Sequence, residues 1–76
     1  SLIIYSENGQ IITEATYSNG KFDGPYKNYY ENGNIEEEGN YKNDVKDGIF
    51  RTYYENGKLE FEGIYKNGEL IDYDSF

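Results

Sequence analysis

The sequence predicts an all-β fold: a single-layer, meandering antiparallel sheet of stacked β-hairpins, about six strands, repeat- or solenoid-like and without helix. Three observations predict it. The tripeptide Glu-Asn-Gly starts at Glu7, Glu31 and Glu55, a fixed period of 24 residues. Apolar residues around it alternate rather than recurring at three and four, and glycines interrupt every window long enough for a helix. Ten tyrosines and four phenylalanines among 76 residues supply large apolar surface to an otherwise polar chain.

The period divides the chain into one repeat domain, 1–76, with units 2–24, 25–48 and 49–72 and a tail, 73–76. Between units, Tyr5, Tyr29 and Tyr53 coincide, as do Glu14, Glu38 and Glu62, and Tyr17, Tyr41 and Tyr65. Asn-Gly between alternating segments is a strong hairpin signal, because a two-residue type I′ turn needs positive φ at both central positions. A turn of that kind at Asn32-Gly33 pairs Tyr30 with Ile35, Tyr29 with Glu36, Asn28 with Glu37, Lys27 with Glu38 and Tyr26 with Gly39. The same register pairs Arg51 with Glu62, Thr52 with Phe61, Phe50 with Gly63, Tyr54 with Leu59, Tyr5 with Ile12 and Leu2 with Ala15. Aromatics then cover strand glycines and bases face acids, both favourable cross-strand arrangements. The segments 18–24 and 42–48, rich in Asn, Asp and Gly, read as longer loops returning the chain to the next hairpin.

This register gives one face Tyr26, Tyr30, Ile35, Tyr41, Phe50, Tyr54, Leu59, Phe61 and Tyr65, continued by Leu2, Ile4, Ile11 and Tyr17. The other carries Lys27, Glu36, Glu38, Arg51, Glu60 and Glu62, interrupted by Tyr5, Tyr29 and Tyr53. With no second layer, the ring-lined face serves as the core, and as a contiguous apolar surface it is also a candidate interaction site. Tyr29 and Tyr53 stand on the charged face, where tyrosine needs no partner; with Tyr30, Tyr54 and Phe61 they are the candidate binding residues. Glu37 joins them, pointing into the aromatic face beside Asn28.

Catalysis is not expected. The chain has no histidine and no cysteine, which removes imidazole bases, the usual nucleophile pairs and thiolate metal sites. Glu37 has no repeated acid opposite it that would complete a carboxylate pair, since Thr13 and Phe61 hold the equivalent positions. The loop Asn43-Asp44-Val45-Lys46-Asp47-Gly48 offers oxygen ligands but too few for calcium, and Lys46 sits inside it. No cofactor or metal is expected.

The formal net charge of -8 disfavours phosphate backbones and anionic membrane surfaces as partners and favours a basic protein. No apolar run approaches the length of a membrane span. The chain opens on Ser1 rather than Met, with Leu2 already strand-like, and reads as a fragment or processed form; compartment, cytoplasmic or cell envelope, is left open.

The run Tyr-Tyr-Glu-Asn-Gly-Lys-Leu-Glu-Phe-Glu-Gly-Ile-Tyr-Lys-Asn-Gly at 53–68 resembles the bacterial variant of the MORN repeat. Asp23-Gly24 and Asp47-Gly48, each followed closely by an aromatic (Tyr26, Phe50), fit the same pattern. The resemblance covers essentially the whole chain. It departs at Ser6, where the other units have tyrosine, and in the tail 71–76, which lacks Asp-Gly and ends where a fourth hairpin would begin. It implies an elongated antiparallel sheet of hairpins with a non-catalytic, protein-binding role, antitoxin-like or immunity-like in many bacterial members. A glycan-binding module using the tyrosine faces is the alternative, as is a structural envelope element that self-associates through open sheet edges.

Overall fold

The computed structural model describes residues 2–76. Eight strands follow one another: β1 (Leu2–Tyr5), β2 (Ile11–Ser18), β3 (Lys21–Tyr29), β4 (Ile35–Lys42), β5 (Val45–Lys46), β6 (Gly48–Tyr53), β7 (Leu59–Lys66) and β8 (Glu69–Ser75). They form one antiparallel meander in the order β1-β2-β3-β4-β6-β7-β8, with the short β5 against β4. The all-β, helix-free, hairpin-built sheet is the predicted one, with eight strands rather than about six. Its Cα envelope measures 38 × 36 × 10 Å, so both faces meet solvent. Ala15 and Phe50 are the buried apolar side chains among the described residues.

The predicted register holds in the body of each hairpin. Tyr26 faces Gly39, Lys27 faces Glu38 and Asn28 faces Glu37; Phe50 faces Gly63, Arg51 faces Glu62 and Thr52 faces Phe61; Leu2 faces Ala15. Near the turns it slips by one residue: Tyr29 faces Ile35, Tyr53 faces Leu59 and Tyr5 faces Ile11. The cause is the turn. Glu-Asn-Gly does not form the two-residue type I′ turn expected of it. The Gly33 N–H donates to the Tyr30 carbonyl at 3.0 Å and the Tyr30 N–H to the Asn34 carbonyl at 2.8 Å, with positive φ at Gly33 alone of the loop residues. This is a three-residue loop closed by a left-handed glycine, repeated at Gly9 and Gly57 with the same bonds. One residue after each loop (Ile12, Glu36, Glu60) is therefore extra and forms a bulge.

The two-residue turns lie instead at the connections expected to be long loops. Asn19-Gly20, Asn43-Asp44 and Asn67-Gly68 have both central residues at positive φ, and the flanking residues pair directly, Ser18 with Lys21, Lys42 with Val45 and Lys66 with Glu69. The remaining irregularity of segments 18–24 and 42–48 is taken up by bulges around Asp23-Gly24 and Asp47-Gly48. The tail completes a strand: Tyr73 in β8 faces Gly63, as Tyr26 faces Ala15.

Units are clipped together at both ends of the strands. At the Glu-Asn-Gly end, the Tyr30 hydroxyl donates to the Tyr53 carbonyl at 2.6 Å, and the Asn32 and Asn34 amides donate to the Glu55 carbonyl, each at 2.9 Å. Tyr54 repeats the first clip onto the Phe76 carbonyl, also at 2.6 Å. Ser6 is too short for this reach and bonds Asn8 instead. At the opposite end, the Asp44 N–H donates to the Phe22 carbonyl at 2.8 Å, and the Gly68 N–H to the Lys46 carbonyl at 3.2 Å.

Candidate functional site: the two faces of the sheet

The bulges redistribute the side chains. Because Glu36 and Glu37 together oppose Asn28, both point to the aromatic face, and Glu60 does likewise beside Phe61. The Asn28 amide donates to Glu36 Oε1 and the Thr52 hydroxyl to Glu60 Oε1, each at 3.2 Å. Glu36 and Glu60 thus leave the charged face to which the unbulged register assigned them. Ile35, Leu59 and Ile11 make the reverse move and sit opposite Tyr29, Tyr53 and Tyr5.

On the charged face, Tyr29 and Tyr53 are not without partners. The Tyr29 hydroxyl donates to Glu14 Oε1 at 2.5 Å, and the Tyr53 hydroxyl to Glu38. Each pair joins adjacent strands diagonally, the tyrosine standing two residues beyond the partner directly opposite the glutamate, Lys27 for Glu14 and Arg51 for Glu38. The repeated tyrosine and the repeated glutamate therefore serve one contact, made between units. Glu62, the third such glutamate, accepts instead from Arg51 Nε at 2.6 Å. That bond holds the guanidinium pKa up, against the opposing effect of burial.

The hydrogen bond to Glu14, then burial, then the charges of Glu14 and Glu38 push the Tyr29 hydroxyl up to about 12. The Tyr53 hydroxyl is raised by burial first and by its bond to Glu38 second. A tyrosine whose pKa is raised on folding stabilises the fold below its unfolded value, about 10, and loses that contribution as pH climbs through the folded value. The sheet is accordingly expected to lose stability between roughly pH 10 and pH 12. Tyr29→Phe should flatten that limb and cost about 1 kcal/mol at neutral pH through the lost bond. Urea midpoints measured across the alkaline range, with tyrosinate absorbance alongside, check both; an unchanged alkaline limb in the variant would refute the assignment.

The aromatic face carries a continuous ladder. Tyr17 stacks on Phe22 with centroids 4.6 Å apart. Phe22 meets Tyr41 at 5.3 Å, Tyr41 meets Phe50 edge-on at 5.4 Å, and Phe50 meets Tyr65 at 5.5 Å. Lys46 lies over both Phe50 and Tyr65, its Nζ 4.8 Å from each centroid, where cation–π attraction holds it. It fills the position of Phe22 in the preceding unit and Leu70 in the following one, each facing the tyrosine across the two-residue turn. From the sequence, Lys46 stands out only as a positive charge inside a candidate calcium loop. Among the described residues no group of carboxylates is arranged to hold a metal ion, and the Asp44 carboxylate accepts the Phe22 N–H at 2.7 Å.

Beside the ladder lies an open depression of about 230 Å³, lined by Asn28, Tyr30, Glu36, Glu37, Thr52 and Glu60. Its carboxylates have no ion pair; the one ion pair among the described residues, Arg51–Glu62, is on the other face. Burial first, then the charges of Glu37 and Glu36, hold the neighbouring Tyr26 hydroxyl above its ordinary pKa.

Of the six candidate binding residues, the structure brings Tyr30 and Glu37 together in this depression. Phe61 is on the same face, stacked on Tyr73 at 5.8 Å. Tyr54 is exposed at the hairpin end, and Tyr29 and Tyr53 are on the opposite face. Asn28, Thr52, Glu36 and Glu60 complete the depression and were not picked out from the sequence. Their signal is the supernumerary residue after each Glu-Asn-Gly loop, which shifts Glu36 and Glu60 by one.

No curated protein matches the chain significantly. A family model described as the MORN repeat variant matches residues 2–19, 22–43 and 46–67. Each matched segment spans one Glu-Asn-Gly hairpin, the unit that the turn bonds, inter-unit clips and tyrosine–glutamate pairs repeat. The chain belongs to the MORN repeat family in its variant form.

Proposed function

We propose that this chain is a non-catalytic scaffold that binds a basic protein on its aromatic face, in the manner of an antitoxin or immunity protein covering its target. One observation carries the reading: Glu36, Glu37 and Glu60 converge on one open depression beside Tyr30, with no ion pair to neutralise them. Carboxylates flanking an aromatic ring suit an arginine or lysine side chain, which can pair with the acids and lie against the ring. The surrounding charge of -8 steers such a partner in.

The test is titration of the protein with an arginine-rich peptide, followed by amide and tyrosine NMR shifts. Shifts are expected at Tyr30, Glu37 and Thr52. Raising salt from low to physiological should weaken binding by about tenfold, as for an association steered by exposed charge. The triple change Glu36→Gln, Glu37→Gln, Glu60→Gln should abolish it. Binding that ignores both salt and the triple change would overturn the reading. Salt-insensitive capture of an oligosaccharide at Phe61 and Tyr73, whose rings lie stacked and accessible, would support the glycan alternative instead.

A further inference from the structure

The chain contains five Asn-Gly sequences, at Asn8, Asn19, Asn32, Asn56 and Asn67, and all ten residues are exposed. Asn-Gly is the sequence most prone to succinimide formation. The backbone nitrogen of the glycine loses its proton and attacks the asparagine Cγ. The Cγ–Nδ2 bond breaks and ammonia leaves. Water then opens the ring at either carbonyl, giving aspartate or its backbone-lengthened isomer; the sum is asparagine plus water to a carboxylate plus ammonia. The attacking atom is the glycine nitrogen, so what that nitrogen is bonded to decides which site reacts.

Four of the five nitrogens are engaged. Gly9, Gly33 and Gly57 donate across their own turns to Ser6, Tyr30 and Tyr54 at 3.0, 3.0 and 2.9 Å, and Gly68 donates to Lys46 at 3.2 Å. The asparagines of the first three are also held, their Oδ1 atoms accepting from the backbone N–H of Gln10, Asn34 and Lys58. Among the described residues, Gly20 has no such bond. It stands at φ +78 with open space where a Cβ would be, whereas at Gly68 the Val45 side chain closes to 3.0 Å.

We propose that Asn19 is the site of spontaneous modification in the folded protein, converting ahead of the other four Asn-Gly asparagines. The product adds a negative charge to a tight turn, and the lengthened isomer adds a backbone atom between Ser18 and Lys21. The disturbance falls on Tyr17 and Phe22, the first rung of the aromatic ladder.

The protein is incubated at mildly alkaline pH, with and without concentrated urea, and each asparagine is followed by peptide mapping with fragmentation that separates Asn8 from Asn19. In the folded protein Asn19 should lead by about fivefold or more, the factor one hydrogen bond contributes to a local opening equilibrium. In urea the lead should vanish. Equal or faster conversion at any of the other four in the folded state overturns the proposal. So does a lead for Asn19 that persists in urea, since the cause would then be the local sequence rather than the free nitrogen.

Discussion

Phe50→Ala is expected to destabilise the sheet by about 3–5 kcal/mol, the range for truncating a fully buried phenylalanine. A chain of this length has about 4–11 kcal/mol of total stability, so the loss removes at least about a quarter of it. Phe50 is 2% exposed in a molecule whose only other buried apolar side chain among the described residues is Ala15. That burial is built from four directions. Tyr41 and Tyr65 press edge-on from either side, Lys46 lies over the ring, and Gly39 leaves the space the ring occupies. A sheet with no covering layer has to make its core within its own thickness, and here one ring supplies most of it. Phe61→Ala is the control: Phe61 is only half-buried, stacked on one exposed ring, and should cost roughly 1–2 kcal/mol. Urea denaturation of the two variants separates the cases. Equal losses would mean that stability is spread evenly over the face and that the ladder has no centre.

How much of this was readable in the sequence follows from what an internal repeat can report. Contacts within a unit were legible: Tyr26–Gly39, Lys27–Glu38 and Arg51–Glu62 were placed by pairing base with acid and ring with glycine, and all three occur. The turns were exchanged. Both kinds of connection contain Asn-Gly, Asn43-Asp44 excepted, and the type I′ preference of that dipeptide fits either. The discriminating signal was the pairing of conserved type with conserved type across the three units. Tyr5, Tyr29 and Tyr53 face Ile11, Ile35 and Leu59 only if the loop holds three residues. The two-residue register instead sets Ser6, Tyr30 and Tyr54 opposite those residues, and Ser6 breaks the pattern. One bulged residue then decides which face carries Glu36 and Glu60, and with it the candidate site. Contacts between units were not legible at all. Tyr29 reaches Glu14 and Tyr53 reaches Glu38, fifteen residues back and across a unit boundary; aligning units on one another makes such pairs invisible. Lys46 was hidden for a related reason, because phenylalanine and leucine hold the same place in the neighbouring units.

Gly39→Ala is expected to cost about 2–3 kcal/mol, the upper part of the range for overpacking a tight core. The backbone at Gly39 is not among those at positive φ, so conformational strain plays no part; alanine there would on that ground be neutral or slightly stabilising. The cost is steric. An added Cβ would stand 2.4–2.5 Å from three carbons of the Phe50 ring, and that ring has no free direction in which to move. Gly63→Ala should be milder: the nearest atom, at 2.7 Å, is the Cδ1 end of Leu70, a side chain 43% exposed that can rotate outward, and the edge of the half-buried Phe61 ring is met less closely, at 2.9 and 3.0 Å. Nature's own variant is in the first unit, where Ala15 holds the equivalent position and is 3% exposed, facing Tyr26. The decisive measurement is a double-mutant cycle with Phe50→Leu. If the ring is the obstacle, Gly39→Ala should cost under about 1 kcal/mol beside the leucine, giving a coupling of roughly 1.5–2 kcal/mol. An undiminished cost in the leucine background would show that the glycine is required by its own backbone, and the account of Phe50 as a ring seated on a missing side chain would fail.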